Sequence, residues 1–492
     1  MKRFKASHSR EISGNFIKTR STVVTPSPLT TRSQGCISSK HGSLAIFTLI
    51  LLLSSFHVRS QQSILDGYIK TALAENLVIK EKNVSLEKSQ IALKSARSLF
   101  LPTSYFEGQY TLANGGREIS IPVGDLLNPV YQTLNQLTGS SKFPTIENVS
   151  EQLVPNNFYD VRIKTSVPVI NTDIRYNRDI KQQETKLREN EVEIYKRELI
   201  REIKQSYYTI QLSDKAIGIY ESAMLVVKEN LRTNQSMLSN GKGLPAYVSR
   251  AESEVKLVET QLSNAKNEKQ KAIAWFNSLL NRDIQENVLL EDVPISLAAS
   301  TAVQEYSDNI NNREELKSLI IAKDINYKML SMNKSFHVPK LNAFVDLAAQ
   351  DFSFKVKSNS VFYIAGIQLN VPIYSGNRNL YKIQQSELDI KSLELTEKNT
   401  RNQLELAAFN SKSNARNNYN NYISAEKQEE AARQYFKLID RGYREGVNNF
   451  IEMLDARNQL TQTQLQKEAT RYRFLSALAD YERQTSSYTY QN

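Results

Sequence analysis

Between Ile373 and Asn492 apolar side chains recur at helical spacing without a proline, and glycine stands only at 376, 442 and 446. Proline costs a helix interior about 3 kcal/mol and glycine about 1 kcal/mol, so the stretch predicts two very long helices broken at Gly442 and Gly446. At about 1.5 Å per residue, the part before the break extends roughly 95 Å, too far for an ordinary core to bury. The apolar seam of the longer helix, Leu380, Ile383, Leu388, Ile390, Leu393, Leu404, Phe409, Tyr419, Tyr422, Tyr435, Phe436 and Ile439, is interrupted by Asn, Gln and Ser. The return helix carries Phe450, Leu454, Leu460, Leu465, Tyr472, Leu475 and Leu478 in the same broken manner. Such a pattern predicts an antiparallel hairpin packed on one side and wet on much of the rest.

Elsewhere the period falls to two, the signature of strands. Phe106, Tyr110 and Leu112 alternate with polar residues over 103–112, and Tyr159, Val161, Ile163 and Val167 alternate with Asp160, Arg162, Lys164 and Ser166 over 158–167. The same alternation recurs over 340–352 and 360–371. One face of each strand suits lipid and the other suits water, and about 10 residues is the length of a tilted barrel strand that crosses a membrane. Lipid does not tolerate open edges, so closing these strands into a barrel requires more than one copy of the chain. Around them the pattern predicts a helix from Ser63 to Leu99, a long loop over 113–157 with one short helix, and a collar over 281–310. Asn312 with Glu315 predicts a capping box opening the next helix.

The chain is internally duplicated. Val167-Pro168-Val169 is followed 74 residues later by Gly241, and Val371-Pro372-Ile373 is followed 75 residues later by Gly446, with Ala251 and Ala456 ten residues beyond each glycine. Two such copies define a first repeat over 61–300, with long helices over 172–280, and a second over 301–492, with long helices over 376–484.

Composition then changes the picture at the N-terminus. Residues 1–40 hold eight Lys and Arg against the single acid Glu11, and an apolar run follows from Leu44 to Phe56. The run is too short for a mature membrane helix, and Val58-Arg59-Ser60 offers small residues where a signal peptidase reads, so residues 1–60 predict a signal peptide with a long basic n-region. Its removal takes away eight of the eleven formal positive charges, leaving +3, and with them any reading of nucleic-acid binding from pI ≈ 9.3. Cys36 and all histidines except His337 leave with it. No thiol and one histidine give no Cys/His metal cluster, no Cys-His catalysis and no call for a cofactor, so an enzyme is not expected.

Several short motifs, in order, resemble the TolC-type outer-membrane efflux proteins. They are Thr71-Ala72-Leu73 with Asn76, Leu101-Pro102 and Val338-Pro339 before strands, and Arg313-Glu314-Glu315-Leu316 opening the second repeat. Val371-Pro372-Ile373-Tyr374-Ser375-Gly376 follows a strand, and Gly442-Tyr443 with Gly446 and Ala456 forms a tip. The resemblance covers nearly all of the mature chain. It implies a mainly α protein with a β-barrel part, assembled as a homotrimer. Twelve strands would form the barrel in outer-membrane lipid, and an α-helical coiled-coil tunnel would extend into the periplasm. The implied function is an exit duct that passively conducts what an inner-membrane pump and a periplasmic adaptor deliver. It further implies that Glu452 and Asp455, on one helical face, ring the periplasmic gate. The tips Gly241, Gly243, Leu244, Gly442, Tyr443 and Gly446 are the expected adaptor-docking surface. Asn448 stands where the best-known members carry an arginine of the closing network, and Tyr247 where they carry an aspartate, so a different lock is expected. A non-channel periplasmic adaptor or scaffold is the alternative, but such proteins set compact Gly-rich β domains around one hairpin, whereas this chain has two hairpins and four long strands.

Overall fold

A computed structural model describes residues 63–295, 310–488 and 490, all within one unit spanning 62–492. The expected signal peptide and the expected boundary between repeats at 300 and 301 lie outside the described residues.

The chain opens with α1 (Ile64–Glu75) and α2 (Leu77–Ser98) where the sequence predicted one helix. The break is Asn76. Its side chain accepts hydrogen bonds from the Val78 and Ile79 N–H groups, capping α2, and donates to the Leu279 carbonyl at 2.9 Å. An asparagine that satisfies a helix start and bonds a distant carbonyl favours a cap over an unbroken helix.

Four strands form one antiparallel sheet in the order β1 (Thr103–Thr111), β4 (Phe158–Ile170), β5 (Lys340–Phe352), β6 (Val361–Asn370). Register brings Tyr105 opposite Lys164 and Lys164 opposite Asp346, so the polar alternates of successive strands share a face. The outer edges of β1 and β6 pair with no other strand among the described residues. The segment 113–157, expected to be loop with one helix, contains β2 (Glu118–Ile121), α3 (Val123–Thr138) and β3 (Val149–Gln152), with β2 and β3 pairing as a small second sheet.

Two helical hairpins continue from the large sheet. α4 (Thr172–Ser239) is 68 residues long and returns as α5 (Pro245–Leu279); after α6 (Glu314–Lys334) and the second strand pair, α7 (Arg378–Arg444) is 67 residues long and returns as α8 (Phe450–Thr485). The buried positions of α7 differ from the expected seam. Ala408, Ser411, Ala415, Ala425 and Ala432 are buried, whereas Leu380, Leu388 and Phe409 are exposed in the single chain. Small side chains at heptad spacing form much of the contact within the chain, joined by Ile390, Leu404, Tyr419 and Ile439 of the expected seam, while Leu380, Leu388 and Phe409 face outward, where a further copy could cover them.

A single large apolar core lies midway along the helices. Leu199, Ile203 and Tyr207 of α4 meet Phe276 of α5, Leu475 of α8, and Leu65 and Ile69 of α1. Tyr68 meets Phe276 edge to face at 5.1 Å. The described part of the expected collar, 281–295, lies against this core. Val288 is buried in it, and the Tyr207 hydroxyl accepts from the Glu291 N–H at 2.9 Å.

Beside the core an ionic cluster ties three helices together. Arg313 grips Glu315 through two bonds of 2.8 and 2.9 Å, and Arg483 of α8 donates to Glu315 at 2.7 Å and to Glu198 of α4 at 3.2 Å. Arg197 of α4 pairs with Glu314 at 2.8 Å. The expected capping box at Asn312 does not form: Arg313 is the cap residue and makes no side-chain capping bond. Two guanidiniums hold the Glu315 carboxylate more strongly than one backbone N–H would. Burial alone would push its carboxyl up, but the Arg313 and Arg483 bonds outweigh burial and hold it down at about 2.

Candidate functional site

The two hairpin ends are built alike. After α7, the Gly446 N–H bonds the Tyr443 carbonyl at 3.1 Å and the Val447 N–H bonds the Gly442 carbonyl at 2.8 Å; after α4, Gly241 and Lys242 make the same pair of bonds to Leu238 and Met237. This is the Schellman ending, which needs a left-handed residue, and Gly446 and Gly241 supply φ of 77° and 67°. Gly243 is required for a different reason. A β-carbon there would lie 2.7 Å from the Leu238 backbone nitrogen. Leu244 is the cap residue of α5 and is exposed, and Pro245 occupies the first turn. Gly442 sits beneath the Asn448 side chain.

The structure separates Tyr443 from the other expected docking residues. It is buried with Phe450, Met453 and Ala251, so it holds the tip together and offers no surface to a partner. The most exposed large apolar residue there is Val447, 79% accessible, beside Ile451 and Leu244; a lone valine in a turn carries no periodicity by which the sequence could flag it.

Glu452 and Asp455 both lie on the exposed side of the first turns of α8, while Met453, Ala456 and Arg457 point into the protein. Glu452 also belongs to a capping box. Its carboxylate accepts from the Asn448 amide at 2.9 Å and from the Asn449 N–H at 3.2 Å, and Asn449 accepts from the Glu452 N–H at 2.9 Å. The bond from Asn448, and after it that from Asn449, hold the Glu452 carboxyl below its ordinary value.

Tyr247, which by the resemblance stands where the best-known members carry an aspartate, stacks obliquely on Phe450 at 5.5 Å. Deeper between the hairpins, Arg457 of α8 donates to Glu254 of α5 at 2.8 Å, with only 4% and 5% of the two side chains accessible. Arg250 bonds the other oxygen of Glu254 at 2.9 Å. Burial lowers the Arg457 pKa, and Glu254 opposes that loss. Each chain's two hairpins are therefore joined near their ends by an aromatic cluster and a buried ion pair. Sequence spacing could not show this pair, whose members are 203 residues apart.

At the other end, the large sheet has two unlike faces. Phe106, Ile163, Val345, Leu347, Tyr363, Ile367 and Leu369 are exposed on one. Glu107, Asp160, Arg162, Lys164 and Asp346 share the other, where Lys164 pairs with Glu107 and Arg162 with Asp160. The charged face borders a concavity of about 790 Å³ lined by Tyr105, Lys164, Asn342 and Asp346. No helix among the described residues is long and apolar enough to cross a membrane.

Comparison with known proteins agrees with this geometry. Residues 306–482 match the family described as outer membrane efflux protein. The fold is that of the CmeC outer membrane channel of Campylobacter jejuni, with a TM-score of 0.65 at 15% identity over 86% of this chain and 85% of that one. The outer membrane protein VceC of Vibrio cholerae gives 0.67 at 12% identity, covering 86% and 95%. The open state of the MtrE outer membrane channel of Neisseria gonorrhoeae gives 0.66 at 15%, covering 86% and 88%. No curated protein matches the sequence. The resemblance carried by the short motifs is thus supported, by the family match over residues 306–482 and by a fold shared with these channels over 86% of the chain.

Proposed function

We propose that this chain is one protomer of a homotrimeric outer-membrane channel, the exit duct of a tripartite efflux or type I secretion system. The observation that carries the reading is the four-stranded sheet. It is apolar on one face and charged on the other, open at both edges, and continued by helices of 68 and 67 residues. A sheet with an apolar face is at home in lipid only when its edges are closed. Three copies would give twelve strands, with the charged faces turned to a water-filled lumen, and the hairpins would continue that lumen as a tunnel through the periplasm. An adaptor or scaffold has no use for an amphipathic sheet of this kind.

Conduction is passive in this reading: the sheet and the hairpins supply the walls of a passage, and the drive is left to the inner-membrane pump. Glu452 and Asp455 line the narrow periplasmic end, where six carboxylates would favour cations. The exposed ends around Leu244 and Val447 are the surface offered to a periplasmic adaptor, which couples the duct to an inner-membrane pump. Fractionation should place the protein in the outer membrane, and light scattering in detergent should give three protomers. A soluble monomer of the same helix content would overturn the proposal.

A further inference from the structure

The insertion between β1 and β4 is far longer than the hairpin turn between β5 and β6, and its helix is built with two opposed faces. On one, Asn128 exchanges two bonds of 2.8 Å with the Ile146 backbone, and Asn135 bonds the Phe143 backbone at 2.8 and 3.1 Å. Asp125 accepts from Asn148 at 2.9 Å, and Tyr131 meets the Phe143 ring at 5.5 Å. These contacts clamp α3 to its own loop. They also fix which side is left over. Leu126, Val130, Thr133 and Leu137, at helical spacing, form the opposite stripe, and Leu126, Val130 and Leu137 are 69%, 51% and 78% accessible. The small sheet adds Ile119, Ile121 and Val149, exposed on one of its faces by their register.

We infer that the Leu126–Leu137 stripe of α3 packs against the neighbouring copy of this chain, forming a second contact between protomers on the side of the barrel away from the helices. This rests on the homotrimeric reading. Two observations favour a second copy over lipid. The insertion leaves the end of β1 at Thr111, and β1 is an unpaired sheet edge that must meet another copy when the barrel closes. The stripe is thus continuous with the contact that β1 has to make. A helix that lies on a membrane surface carries Lys and Arg on its polar face, whereas α3 has none, and the whole 113–157 segment has Arg117 and Lys142 against Glu118, Asp125, Glu147 and Glu151. Three such contacts would rim the outer mouth of the channel with apolar helices and narrow it.

The sequence has a single cysteine, Cys36, ahead of the expected cleavage point, so single-cysteine variants of the mature channel are clean probes. Leu126→Cys, Leu137→Cys and, on another side of the helix, Gln132→Cys would be purified in detergent, and their mass checked by light scattering. They would then be reconstituted and treated with a charged maleimide. The two stripe cysteines should react several-fold more slowly than Gln132→Cys does. A trimer in which the stripe cysteines react as fast as Gln132→Cys would overturn the inference alone. So would a trimer in which a fluorophore at Leu137→Cys is quenched by brominated lipid, since lipid would then be the occupant. If no trimer is found, the assembly reading itself fails.

Discussion

Glu254→Gln is the most discriminating perturbation of the hairpin ends. The Glu254–Arg457 pair bridges the two hairpins with both side chains almost wholly inaccessible. Removing one partner of such a pair costs about 3–5 kcal/mol, because the other charge is left buried and uncompensated. The two partners are not equivalent here. With Glu254 neutral, Arg457 has no second acid, and its Nε already lacks a hydrogen-bond partner, so the cost belongs at the upper end. With Arg457→Met, Glu254 keeps Arg250 at 2.9 Å, and the cost falls to about 2 kcal/mol, nearer that of a single charged hydrogen bond. Replacing both by leucine removes the desolvation penalty with the pair and should be close to neutral. The effect is local, so hydrogen exchange over 225–260 and 440–465 is the assay. In Glu254→Gln, protection there should fall by about three to four orders of magnitude, with the midway core around Phe276 unchanged. Unchanged tip protection in Glu254→Gln, or a double leucine variant as damaged as Glu254→Gln, would refute the argument.

Three further outcomes are expected. Glu315 is held at about 2, below the ordinary carboxylate value near 4.5. It therefore contributes about 3 kcal/mol of stability that is fully present above pH 4.5 and fades as pH falls toward 2; in denaturation experiments the gap between parent and Glu315→Gln should shrink over that window. Gly446→Leu forces a branched residue to φ 77° at a cost of about 1–2 kcal/mol, and should abolish export while trimers still reach the membrane. In planar bilayers, Glu452→Gln with Asp455→Asn should raise the anion share of the current and weaken block by trivalent cations; unchanged selectivity and block would mean that these acids do not line the constriction.

Much of the fold was legible because its periods are unambiguous. The alternation through Tyr159, Val161 and Ile163, and the breaker-poor runs either side of the two hairpin ends, depend only on neighbours in the sequence. What stayed hidden depends on distant partners. Asn76 ends a helix because Leu279 waits for its amide, and Glu315 leaves a capping role because Arg483 arrives from the far end of the chain. The strands β2 and β3 are four residues each, too short for alternation to stand out among glycines and prolines. The α7 contact surface is only partly visible in the pattern: Ile390 and Tyr419 of the expected seam are packed, but Leu388 and Phe409 are exposed, since hydrophobic patterns weight large side chains whereas Ala408, Ala415, Ala425 and Ala432 make much of the contact. Among the proposed site residues, Glu452 and Asp455 fall on the exposed face that their spacing implied, but Tyr443 is core.

Position 452 brings together two demands that pull a carboxylate in different directions. As the third residue of α8, Glu452 closes the helix start by accepting from Asn449, and Asn448 adds a second donor to the same oxygen. Both bonds favour the charged form. In a threefold ring, crowding with like charges would disfavour that form, and Asn448, being neutral, offers no counter-charge of the kind an arginine would. An arginine at 448 would neutralise the ring while tying it shut; an asparagine orients the carboxylate and leaves its charge uncancelled. In the proposed channel, the work of holding the end closed would then pass to groups buried between the hairpins, the Tyr247–Phe450–Tyr443 cluster and the Glu254–Arg457 pair. Selectivity and closure would thereby be carried by different side chains. The neutral double change at 452 and 455 should accordingly alter which ions pass without loosening the hairpins, whereas Glu254→Gln should loosen the hairpins while leaving the charge of the ring intact.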